Sequence, residues 1–189
     1  MYEIELKAHV NDREAVTAAL NGFAAFCGTV EKHDTYYALR RGEATVSARI
    51  RTESSADGER ILLTYKRKER RTTTAGTATE VNDEQECTIS AREAVESLLA
   101  DSGFSVALTK TKRAMQWRHD GALFELCAVP PLGDFLEIEL LSQTDDAETV
   151  GRIQERLRTL LARAGVPAEK IESRYYRDLL REAAGGNHV

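Results

Sequence analysis

The sequence has only three cysteines, Cys27, Cys87 and Cys127, widely scattered and without a C-x-x-C pair. This odd, dispersed set argues against a disulfide framework and a structural zinc site, and predicts reduced thiols. No apolar run approaches the roughly 20 residues that span a bilayer, and the N-terminus lacks a signal-peptide pattern. The expected address is therefore cytoplasmic, with no membrane partner. Net positive charge is missing too: a balance of −5 gives no reason to expect nucleic acid. No internal repeat and no interdomain linker interrupts the 189 residues. One domain is expected over 1–184, followed by a frayed GGNHV tail at 185–189.

What is present is charge: 30% of residues are charged, against 42% hydrophobic, a soluble globular balance. The signs are segregated locally. TYKRKERR (64–71) is basic and EVNDEQE (80–86) is acidic.

Helical spacing of Ala15, Val16, Ala19, Leu20 and Phe23 predicts a helix capped by Asn11 or Asp12. SARE (90–93) fits a capping box opening a second helix to about Asp101. The stripe Val150, Ile153, Leu157, Leu160 and Leu161 predicts a third over 145–164, closed by Gly165 with Pro167 following. A last helical segment covers 173–184.

Between them lie segments that alternate as strands do. These are MYEIELK at the start, 33–39, a hairpin of 44–53 with 59–68 around SSADG, 84–89, a hairpin of 104–117 with 122–129 around HDG, and PPLGDFLEIEL (130–140). The stretch 72–79 lacks periodicity and is expected to be a loop. Together these elements predict an α+β domain with a mostly antiparallel sheet.

One face of each strand is unusual. Glu3 with Glu5, Arg49 with Arg51, Lys66 with Lys68, Lys110 with Lys112, and Glu137 with Glu139 are all spaced i, i+2. A solvated sheet face usually sets opposite charges against each other. Here acids sit with acids and bases with bases. Two carboxylates about 4 Å apart repel by roughly 4 kcal/mol at the effective dielectric of a protein surface. A divalent cation removes that penalty for the acids, and phosphate oxygens remove it for the bases. The pattern suits a sheet closed into a barrel whose charged interior receives a metal-bound polyphosphate.

Several residues have plainer readings. His9, on the same face as Glu3 and Glu5, is expected to be a surface hydrogen-bonder rather than a phosphate ligand. Trp117 is expected in the core or at the rim rather than against a base, and Tyr175 and Tyr176 are expected to pack. A His33–Asp34 dyad is excluded, because adjacent strand residues face opposite ways.

E-I-E-L-K (3–7) resembles the E-x-E-x-K signature of the CYTH superfamily, the triphosphate tunnel metalloenzymes. A-R-I-R (48–51), L-T-Y-K (63–66), K-T-K-R (110–113) and L-G-D-F-L-E-I-E (132–139) follow in the family's order. S-R-Y-Y-R-D-L-L (173–180) looks like the class IV adenylate cyclase branch.

The resemblance implies a closed, eight-stranded antiparallel barrel, open at its ends, with helices packed outside. It implies Mg²⁺ or Mn²⁺ on Glu3, Glu5, Glu137 and Glu139, hard oxygen ligands for hard ions. It further implies a triphosphate gripped by Lys7, Arg49, Arg51, Lys66, Lys110 and either Lys112 or Arg113, with Arg177 a weaker candidate near the mouth. The implied reaction is in-line attack of the ATP 3′-hydroxyl on the α-phosphate, giving cyclic AMP and pyrophosphate. The same residues would serve a triphosphatase acting on tripolyphosphate or thiamine triphosphate, or a module that binds a nucleotide or polyphosphate without turnover. Family analogy tilts toward a homodimer.

One position departs from the family. In the strand before L-G-D-F, members carry an Asp where this chain has Cys127. A thiol is a poor Mg²⁺ ligand, and Glu125, two residues earlier on the same face, is the candidate substitute. Lys7, Lys66, Glu125 and Cys127 are thus the expected catalytic positions, with a weakened second metal.

Overall fold

The computed structural model describes residues 2–72 and 78–185, with side chains throughout except over 66–84. The expected loop at 72–79 and the tail fall largely outside the described residues, and so does the side chain of Lys66.

The described residues form eight strands: β1 (Tyr2–Val10), β2 (Ala25–Arg41), β3 (Ala44–Ser55), β4 (Gly58–Thr72), β5 (Ala78–Thr88), β6 (Ser105–His119), β7 (Ala122–Val129) and β8 (Gly133–Ser142). All neighbours are antiparallel, in the cyclic order β1-β5-β4-β3-β2-β6-β7-β8. β1 pairs with β8 along its whole length, Tyr2↔Ser142 to Val10↔Asp134, but with β5 only from Tyr2↔Asp83 to Glu5↔Glu80. The sheet is therefore curled into a half-barrel that a short seam brings round on itself.

Four helices accompany it: α1 (Arg13–Asn21), α2 (Arg92–Asp101), α3 (Ala147–Arg163) and α4 (Tyr176–Gly185). Among the described residues, no helix is long and apolar enough to cross a membrane.

The outer face of β1, β6, β7 and β8 makes the main core. Ile4, Leu6, Phe124, Leu126, Leu136 and Ile138 are buried there with Trp117. α3 covers β1 and β8 with Val150, Leu157, Leu160 and Leu161, and α1 adds Val16 and Leu20. Large-to-small substitution at such sites costs about 2–5 kcal/mol, so the parity that points every other residue outward is strongly fixed. Trp117 is fully buried and donates from Nε1 to Asn21 Oδ1 at 2.8 Å, a core residue as expected.

Several local expectations change. α1 opens on Asp12, whose side chain accepts from Ala15 N, but it ends at Asn21, so Phe23 lies beyond the helix. β2 is far longer than the expected 33–39: it starts at Ala25 and runs through Gly28, which adopts φ +123 beside a bulge between Phe26 and Gly28. The capping box at Ser90 does not form: the N-cap of α2 is Ala91, with no side-chain cap. Arg92 instead anchors the helix start, bonding Thr35 and Thr52 on the sheet and Glu96 one turn on.

α4 departs from the expected outer ring of helices. Its Leu179 and Tyr176 pack against Val30, Ala114, Cys127, Val129 and Phe135. These residues share the inward parity of Lys32, Lys112, Glu125 and Glu137, so α4 supplies an apolar floor to the concave face.

Candidate functional site

β1 and β8 bring the acidic pairs together. Glu5 stands directly opposite Glu139 and Lys7 opposite Glu137, while β7 sets Glu125 opposite Glu137. Glu3, Glu5 and Glu139 are half-buried, and Lys7, Glu125 and Glu137 are buried. The outer acids and the inner mixed set form two tiers of one concavity.

In the inner tier Lys112 Nζ donates to Glu125 Oε2 and to Glu137 Oε2, each at 2.6 Å. Lys32 Nζ donates to Glu125 Oε1, and Gln116 Nε2 donates to the same oxygen at 2.6 Å. The Tyr176 hydroxyl donates to Glu137 Oε1 at 2.5 Å. Burial pushes the Glu137 carboxyl up, but Lys112 outweighs it and holds the group at about 2. Glu125 is likewise held well below the carboxylate range, with burial overcome by Lys112 and Lys32. Burial opposes the charge on Lys112, and the acidic groups around it win, raising the ammonium well above its ordinary value. Burial and then Lys112 push Lys32 down. Burial and Glu137 push the Cys127 thiol up, which keeps it protonated.

The basic wall is organised by Asp34, only 2% exposed. Its carboxylate accepts from Arg51 Nε at 2.6 Å and Arg51 Nη2 at 3.1 Å, pairs with Lys110 at 3.2 Å, and accepts from the Tyr36 hydroxyl at 3.3 Å. Arg49 Nη2 donates to Thr64 Oγ1 at 3.1 Å, yet its buried Nε has no hydrogen-bond partner among the described residues. Lys7 Nζ donates to the Arg174 carbonyl at 2.7 Å. Lys7 and Lys110 each place an ammonium 4.7 Å from the centre of the Tyr176 ring, a cation–π geometry.

Of the expected residues, Lys7, Arg49, Arg51, Lys110, Lys112, Glu125, Cys127 and Glu137 converge here, with Glu3, Glu5 and Glu139 on the adjoining tier. Strand parity selects Lys112 over Arg113. The Arg113 side chain is 75% exposed and pairs with Glu31 outside. Arg177 is 52% exposed, pairs with the neighbouring Asp178 and is not brought to the site. His9 pairs with Glu172 at 3.2 Å and packs on Phe135.

Lys32, Asp34, Tyr36 and Gln116 were not anticipated. Their only signal was i, i+2 continuity along β2 and β6. Tyr176 was expected only to pack, yet it also bonds Glu137.

Metal fit can be judged from the donors. Glu3, Glu5 and Glu139 are all oxygen ligands on facing strands, suitable for Mg²⁺ or Mn²⁺. Glu125, Cys127 and Glu137 offer ligand atoms within 4.8 Å of one another. That second group contains a thiol and already encloses two ammonium groups, so it suits such ions less.

A model of the CYTH domain matches residues 1–176. No curated protein sequence matches the chain. Among solved structures, the PH1819 protein of Pyrococcus horikoshii OT3 is 26% identical, with TM-score 0.78 over 96% of this chain and 99% of that one. A candidate adenylate cyclase from Vibrio parahaemolyticus is 18% identical, with TM-score 0.72 over 96% and 98%. The Hippeastrum protein HpAC1, a candidate adenylyl cyclase described as having a dominant triphosphatase activity, is 18% identical, with TM-score 0.65 over 96% and 95%.

Proposed function

The chain belongs to the CYTH family, and from that premise we propose that it is a metal-dependent enzyme acting on a triphosphate, with class IV adenylate cyclase chemistry as the first reading. The observation that carries the proposal is the buried Arg49 Nε, without a hydrogen-bond partner among the described residues, beside Arg51 and Lys110. A buried donor without an acceptor costs about 1–3 kcal/mol, and a phosphate oxygen is the acceptor that a guanidinium fork fits best. The charge balance points the same way. In the inner tier Lys7, Lys32, Arg49, Arg51, Lys110 and Lys112 face Asp34, Glu86, Glu125 and Glu137, an excess of two positive charges.

In this proposal Arg49, Arg51, Lys110 and Lys7 bind the phosphate chain, with Lys66 added from the sequence. Asp34 holds Arg51 and Lys110 in their inward positions. Glu3, Glu5 and Glu139 would hold Mg²⁺ or Mn²⁺, with Glu137 at their inner edge. A divalent ion there would supply charge compensation for the phosphate oxygens.

For cyclisation, the ATP 3′-hydroxyl gives up its proton to water and its oxygen forms a bond to the α-phosphorus as the bond to the bridging oxygen breaks. The electron pair leaves on pyrophosphate, where the arginine and lysine cations stabilise it. Positioning and fixed charge are the chain's contributions.

Hydrolysis of the triphosphate is the second reading, favoured by one observation. Trp117, a candidate base-stacking residue, is sealed in the outer core. The inward groups described above recognise phosphate rather than a base.

Product analysis separates the readings. Purified protein is incubated with ATP and, separately, with tripolyphosphate, with Mg²⁺ or Mn²⁺ and with chelator. Metal-dependent cyclic AMP plus pyrophosphate supports the cyclase. Phosphate without cyclic AMP moves the assignment to triphosphatase. Survival of both substrates refutes turnover of either one and leaves a binding role.

A further inference from the structure

Every carboxylate oxygen of the Glu125–Glu137 pair is already occupied by a donor of the chain itself. Lys112 Nζ reaches Oε2 of both residues at 2.6 Å. Gln116 and Lys32 meet on Glu125 Oε1, and the Tyr176 hydroxyl takes Glu137 Oε1. Together with Cys127 Sγ these acids have the spacing of a shared cation site, all ligand atoms lying within 4.8 Å. The cation held by both acids is an ammonium.

Two carboxylates and two ammonium groups make a charge-balanced, buried set. A divalent ion entering it would have to shed water and would meet no uncompensated charge, a combination that buried ion pairs do not reward. The remaining donor, Cys127, is a soft sulfur that hard ions avoid. The apolar floor of Val30, Val129 and Phe135 adds no ligand.

We infer that Lys112 stands in for a second divalent cation, so that the site takes one metal ion, at the Glu3–Glu5–Glu139 end, rather than two. The inference rests on the reading of this concavity as a metal-dependent triphosphate site. Lys112 then provides a fixed positive charge deep in the concavity, where a two-metal site would hold its inner ion. Activity is expected to follow the saturation of a single metal site.

The test counts bound ions. Mn²⁺ is titrated into the full chain and free ion is read by electron paramagnetic resonance. Tripolyphosphate binding is measured separately in chelator by calorimetry. The wild type should take up one Mn²⁺ per chain. Lys112→Met, which keeps the length and removes the charge, should take up two, because Glu125 and Glu137 are left undercompensated. Glu5→Gln should take up none.

Two ions on the wild type overturn the inference and leave the proposed function standing. Lys112→Met holding a single ion, or Glu5→Gln retaining one, overturns it as well. No ion on the wild type overturns it, and if tripolyphosphate is also not bound the proposed function falls with it. The wild-type count decides even where Lys112→Met does not fold.

Discussion

Neutralising Asp34 tests how the basic wall is held. Asp34→Asn keeps the shape but removes the anion that Arg51 meets at 2.6 and 3.1 Å and Lys110 at 3.2 Å. Both cations stay buried, and breaking a buried pair from one side costs about 3–5 kcal/mol. For a chain of this length each kcal/mol moves the melting temperature by about 2–4 °C, so a fall of roughly 6–20 °C is expected. Tripolyphosphate would supply the missing anion. It should therefore raise the melting temperature of the variant by more than it raises that of the wild type.

Acid should narrow the gap between them. Burial pushes the Asp34 carboxyl up, but Lys110 and Arg51 overcome it and hold the group well below its ordinary 3.8. A depressed carboxyl contributes its stability above the unfolded value, and that contribution is lost as pH falls from there toward the folded value. Below pH of about 4 the wild type should thus lose stability that the variant never had. Calorimetric scans across pH, with and without tripolyphosphate, measure both effects. A variant melting within about 2 °C of the wild type at neutral pH, or gaining no extra stabilisation from tripolyphosphate, would refute the reasoning.

Three further outcomes are expected. Cys27 and Cys87 are exposed and Cys127 is buried, so Ellman's reagent should titrate two thiols in the native protein and the third only in denaturant. Cys127→Asp would bury a third carboxylate beside Glu125 and Glu137 and against Val30, Val129 and Phe135. A loss of about 3–5 kcal/mol in urea unfolding is expected, and an unchanged midpoint would show that the pocket accommodates the charge. Arg113→Ala removes an exposed side chain paired with Glu31, and steady-state kinetics should change less than about two-fold.

The alternation of charged and apolar residues made β1, β8 and the hairpin of β6 with β7 legible, because each of these strands has one face in the outer core and one in the concavity. The acidic and basic tiers followed from the same parity. The sequence K-H-D (32–34) was harder to read. Lys32 and Asp34 carry opposite signs at i, i+2, which looks like an ordinary solvated face; only the cross-strand partners Arg51, Lys110, Lys112 and Glu125 give the two residues their roles. Arg113 and Lys112 were adjacent candidates until the register fixed which one points inward. The box at Ser90 failed for a different reason: α2 begins at Arg92 with Ala91 as its N-cap, one residue later than a box on Ser90 and Glu93 requires. The contact of Tyr176 with Glu137 spans 39 residues and a change from strand to helix, beyond the reach of any local pattern.

The pairing of β1 with β8 also determines when the site can exist. Glu5 meets Glu139 only after 133 intervening residues have been made. A chain emerging from the ribosome carries Glu3, Glu5 and Lys7 on its first strand, with Ile4 and Leu6 on the reverse, through the synthesis of six further strands before that partner appears. Long-range antiparallel joints of this kind close slowly, because loop entropy is lost before contacts compensate. Until they close, the apolar side of β1 is an unpaired edge open to chaperones or to other chains. The acidic tier thus waits on that late pairing, and the core and the floor wait further on α3 and α4, which follow β8 in the chain.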